Sequence, residues 1–101
     1  MESIRTISIL GIEYTIQEVD VVDKYNPSNG LIEYGNCTIK IDKNLPTDYK
    51  NRVLMHEIVH GTLSLLGYRE DAENEQKVQG LATALHLLMQ SPEPIFFLLG
   101  V

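Results

Sequence analysis

The sequence predicts an α+β domain: a small, mostly antiparallel β-sheet of three or four strands, followed by two core helices. Two observations carry this. Up to Ile41, β-branched residues recur with a period of two, and from Asp48 the apolar spacing changes to that of a helix. Length adds the third constraint, because 101 residues make one domain, residues 1–101, and leave no room for two.

Each element has its own signal. Ile4, Thr6, Ser8 and Leu10 alternate with Arg5, Ile7 and Ile9, which marks a first strand. Gly11 interrupts it, and a second run passes through Tyr14, Ile16 and Val19 with polar residues between. Tyr25-Asn26-Pro27-Ser28-Asn29-Gly30 is a loop, since every one of these residues favours turn geometry. Leu31-Ile32-Glu33-Tyr34 and Thr38-Ile39-Lys40-Ile41 then flank Gly35-Asn36-Cys37 as a second hairpin.

In the helical half, Leu54, Met55, Ile58, Val59, Thr62, Leu63, Leu65 and Leu66 fall within one half-turn arc of a wheel. Thr47 or Asp48 is the expected N-cap and Gly67 the expected stop. A charge-rich stretch, Arg69 to Asn74, reads as a loop. Val78, Leu81, Ala82, Leu85, Leu88 and Met89 mark the second helix, which Ser91-Pro92-Glu93-Pro94 ends because proline lacks the backbone donor.

Composition excludes several classes of function. Eight Lys+Arg against fourteen Asp+Glu give a net charge of −6, and a field of that sign repels phosphate backbones and anionic lipid. Direct nucleic-acid and membrane binding are therefore not expected. The single cysteine, Cys37, forms neither an internal disulfide nor a metal-binding cluster. No basic segment leads into a long apolar run at the start, so the expected location is the cytoplasm.

His56-Glu57-Ile58-Val59-His60 is an HExxH motif inside the first predicted helix. Residues four apart lie one above the other on a helix face, so two imidazoles can converge on one ion. The glutamate after the first histidine stands beside that face and can take a proton from an activated water. On the wheel His56 and His60 border the apolar arc on its Val53 side, with Glu57 further round. A catalytic zinc normally has three protein ligands. Leu63 and Leu66 stand where a metzincin extension would require Gly and His, so a carboxylate from the second helix should complete the set. Glu75 lies on the border of that helix's buried face and is the leading candidate. Asp71 and Glu73 are the alternatives.

Other residues suit plainer roles. His86 shares a stripe with Glu75 but sits about 16 Å along the helix axis, too far to share an ion. Cys37 reads most simply as a small strand residue. Tyr34 and Tyr68 are each able to donate a hydrogen bond to an oxyanion. The strand Thr38 to Ile41, just before the motif helix, is a candidate edge for an extended peptide. The apolar run Ile95-Phe96-Phe97-Leu98-Leu99 suits packing on the domain's own core, a dimer contact or a segment across the cleft.

Leu54-Met55-His56-Glu57-Ile58-Val59-His60, followed by Glu75-Gln76-Lys77-Val78-Gln79-Gly80-Leu81-Ala82, resembles the ImmA/IrrE-type zinc metallopeptidases, and most closely their small phage and mobile-element members. Gly30-Leu31-Ile32 and Thr38-Ile39-Lys40-Ile41-Asp42 have the look of that group's hairpin before the helix. The resemblance implies a minimal zincin-like fold and a gluzincin-like Zn2+ site. It implies His56, His60 and Glu75 as metal ligands, Glu57 as general base, and a protein substrate such as a helix-turn-helix transcriptional repressor. Larger members usually carry E-x-E-A-N-x-F-A in the second helix, whereas Lys77, Val78, Gln79 and Leu81 occupy the later places here. The rival expectation is a non-catalytic, phage-type binding or inhibitor module on the same fold.

Overall fold

The computed structural model of the chain describes residues 5–25 and 28–91. Its elements are β1 (Arg5–Ile9), β2 (Ile12–Val19), β3 (Gly30–Glu33), β4 (Thr38–Asp42), α1 (Thr47–Leu65), α2 (Arg69–Glu73) and α3 (Glu75–Met89). The strands form one sheet in the order β1-β2-β4-β3. The two hairpin pairs are antiparallel, while β2 and β4 run parallel, with Ile16 opposite Ile39.

The α+β class, and a sheet followed by helices, are as the sequence predicts. Two details differ. The parallel β2–β4 pairing was not anticipated, because it joins strands distant in sequence and no local pattern announces it. The charge-rich stretch after Gly67 is not all loop: Arg69–Glu73 forms a helix of five residues. Ile4, the Asn26-Pro27 part of the predicted loop, the Pro92 to Pro94 helix stop and the Ile95 to Leu99 run lie outside the described residues.

The first hairpin closes through Leu10 and Gly11, with φ of 50° and 84°. Positive φ at both central residues is the type I′ geometry whose twist matches that of paired strands. β1, β2 and β4 turn Ile9, Tyr14, Ile39 and Ile41 to one face, where they pack with Val53, Leu54 and Ile58 of α1. Ile39 is wholly buried there, worth about 2 kcal/mol in apolar transfer. A second cluster joins Val59 of α1 to Val78 and Ala82 of α3, with Met55 and Leu63 beside them. α1 is thus covered on two sides, by the sheet and by α3.

Helix ends are set locally. Pro46, not Thr47 or Asp48, is the N-cap of α1, and it makes no side-chain cap. Proline's fixed φ suits a residue just outside the first turn, which displaces the start by one residue. At the other end Gly67 N–H donates to Ser64 O at 3.1 Å and Tyr68 N–H to Leu63 O at 2.9 Å, with Gly67 at φ 89°. This is a Schellman stop at the predicted glycine. The side chain of Asn74 accepts from Lys77 N–H at 3.1 Å and so fixes the start of α3 at Glu75. Among the described residues no helix is long and apolar enough to cross a membrane.

Candidate metal centre

α1 places His56 and His60 one turn apart, with ring centroids 4.8 Å apart and planes at 65°. Both imidazoles are half-buried, in the gap between the sheet edge and α3. From α3, the first residue reaches across to them. His60 Nε2 lies 2.8 Å from Glu75 Oε1, and His56 Nε2 lies 3.1 Å from Glu75 Oε2.

The alternatives to Glu75 are placed elsewhere. Asp71 is held by Lys77 Nζ at 2.6 Å. Glu73, the last residue of α2, lines the adjoining cleft but does not join the histidines. His86 accepts from Gln90 Nε2 at 3.0 Å, far along α3.

Two imidazole nitrogens and one carboxylate oxygen, all within 4.8 Å of one another, could hold a metal ion. Ligand bonds of about 2.1 Å in tetrahedral geometry put donors about 3.4 Å apart. A spread of up to 4.8 Å is of the same order, so the three side chains lie close enough to share an ion. Comparisons with protein-family models, curated proteins and solved structures found no match for this chain. The case for the site therefore stands on its own residues.

One residue of the site was not foreseen. Gln79, a turn beyond Glu75, presents Oε1 to His56 Nδ1 at 2.8 Å while its Nε2 donates to Thr83 Oγ1 at 3.2 Å. With the amide held that way, Nδ1–H donates to Gln79, which leaves Nε2 as the ring nitrogen that meets Glu75 or an ion. Such outer partners fix the ring and tautomer of a ligating histidine. Its spacing four residues after Glu75 was the available signal, but a glutamine on an amphipathic helix reads as solvated.

Glu57, further round the helix than the histidines, is the more deeply buried; only 8% of it is exposed. A single apolar arc cannot describe a helix covered on two sides, and Glu57 faces the sheet rather than solvent. Gly30 makes this possible, since a Cβ there would collide with Val53 Cγ1 and lie 3.3 Å from Glu57 Oε2. Burial pushes the Glu57 carboxyl up from its ordinary range. His56, His60 and the Ile32 backbone N–H work against that rise, and Glu75 adds to it.

Glu57 is shared by two clefts. The larger, about 770 Å³, runs past Ile32, Tyr34, His60, Ser64 and Glu75. The smaller, about 300 Å³, lies beside Gly30, His56 and Gln79. The strand bordering both is β3, at the edge of the sheet, whereas Thr38–Asp42 lies inside it between β2 and β3. The expected edge at Thr38 to Ile41 is therefore wrong: the β3–β4 hairpin folds back outside, and its first strand takes the edge. The tyrosines separate too. Tyr34 lines the larger cleft and donates to Ser64 Oγ at 3.0 Å, while Tyr68 is exposed and does not line it. Cys37 is a half-buried free thiol at φ 50° in the β3–β4 turn.

Proposed function

We propose that this chain is a zinc-dependent endopeptidase of the ImmA/IrrE type acting on a protein substrate, a helix-turn-helix repressor being the class the family resemblance suggests. The observation that carries the reading is the convergence of His56, His60 and Glu75 beside a buried Glu57, next to β3, which is an edge strand among the described residues. His56, His60 and Glu75 would hold the ion. Bound zinc supplies Lewis acidity toward a carbonyl and lowers the pKa of water.

The chain's own residues do the rest. An extended substrate pairs with the outer edge of β3, which brings a backbone carbonyl over the histidines. Glu57 takes a proton from the attacking water and returns it to the leaving amine. Tyr34 lines the same cleft, and its hydroxyl would have to leave Ser64 Oγ to donate to the carbonyl oxygen.

The test is digestion of a proteome-derived peptide mixture by zinc-loaded protein, with Glu57→Gln beside it and zinc content measured in both. Wild type should cleave, and the variant should keep its zinc and lose cleavage. Undiminished cleavage by the variant overturns the assigned base. No zinc uptake after reconstitution overturns the peptidase.

A further inference from the structure

We propose that the smaller cleft is a carboxylate-binding subsite for the peptide substrate, with Arg52 as its charge partner; this rests on the peptidase reading above. The cleft shares His56 and Glu57 with the metal-binding group and opens at the Gly30 end of β3. A peptide lying along that edge with a bond at the histidines runs into this cleft in one direction and into the larger one in the other.

Charge distinguishes the two. Lys40, Lys43, Lys50 and Lys77 each meet an acidic side chain, and Lys24 sits over the Tyr25 ring. Arg52, exposed on α1, has no ion-pair partner among the described residues. Arg69 likewise borders the larger cleft, but Glu73 and Glu75 share that wall and balance it. Among the described residues the only carboxylate that lines the smaller cleft is Glu57, which is buried. Arg52 therefore faces a cleft without an exposed acid among the described residues, in a molecule of net charge −6.

The remaining polar groups there suit an acceptor ligand. Tyr49 OH accepts from Asn29 Nδ2 at 3.3 Å, which leaves its own proton to donate. Gln79 and Ser28 are already engaged, through Thr83 Oγ1 and the Gly30 carbonyl. A guanidinium with a phenol beside it matches a carboxylate, either an acidic side chain or a chain end.

The test is a titration of the isotope-labelled 101-residue chain, following the amides of Gly30, Tyr49 and Arg52. Three probes are used: acetyl-Ala-Ala-Glu-Ala-amide, its Gln counterpart, and that Gln peptide with a free C-terminus. The Glu peptide should bind about tenfold more tightly than the neutral one, with the preference abolished by Arg52→Gln and partly kept by Arg52→Lys. Preference for the free C-terminus over the Glu side chain, equally dependent on Arg52, assigns the cleft to a chain end. Equal binding of all three, a preference that survives Arg52→Gln, or no binding up to about 5 mM overturns the subsite. Absence of hydrolysis in the digestion assay would sink the peptidase and leave this binding preference standing, so the two failures are separable.

Discussion

His60 Nε2 lies 2.8 Å from Glu75 Oε1, although the two residues belong to different helices with α2 between them. The contact joins the middle of α1 to the first turn of α3, and with His56 it makes a donor set that neither helix has alone.

Removing either partner should therefore remove the ion. Wild type is expected to hold about one zinc per chain, and His60→Ala or Glu75→Ala to bind it at least about a hundredfold more weakly. Metal analysis after dialysis against a zinc buffer checks this. Asp71→Ala and Glu73→Ala should leave the zinc content unchanged.

Gln79→Ala should weaken zinc binding about tenfold to a hundredfold while the protein stays folded, because the His56 ring loses its Nδ1 acceptor and not its packing. Gln79→Glu keeps an acceptor and should retain affinity. Competition with a chromophoric chelator, alongside circular dichroism, reads both effects.

Gly30→Ala should destabilise the fold by about 1–3 kcal/mol, since the new methyl meets Val53 and approaches the Glu57 carboxylate. Gly35→Ala is the control, with nothing within 4 Å of the added Cβ. Urea unfolding of the two variants should differ accordingly. Equal midpoints would mean that β3 does not lie against α1 as described.

The ion pair of Glu18 with Lys50 ties β2 to α1, and the hydrogen bond from Lys50 holds the Glu18 carboxyl below its ordinary range. A depressed folded-state pKa contributes stability that is present above the unfolded value and lost as pH falls through the depressed one. A carboxyl NMR titration should find Glu18 below an ordinary glutamate, and Lys50→Met should return it. Both groups are partly open to solvent, so salt should shrink the shift.

Much of this was legible in the sequence because it is local. HExxH spacing fixes two imidazoles on one helix face without reference to the rest of the chain, and Gly67 announces the end of α1. Glu75 was reachable from the wheel of α3. What stayed hidden depends on how elements meet. The parallel pairing of β2 with β4 decides that β3 is the edge, and no strand carries that information alone. Glu57 is buried because α1 is covered on two sides, and Gln79 matters only once α3 is rotated against His56.

Glu75 opens α3 just ahead of Val78, the wholly buried residue that helps seat this helix on α1. Lifting α3 away would strip water-excluded surface from Val78 and Ala82 and scatter the three donors in one movement. Ligation and helix docking are then a single equilibrium seen from two ends. By reciprocity, whatever free energy an ion gains from the docked helix it returns as resistance to undocking. Amide exchange along α3 would consequently slow as zinc is added, at residues that never touch the ion.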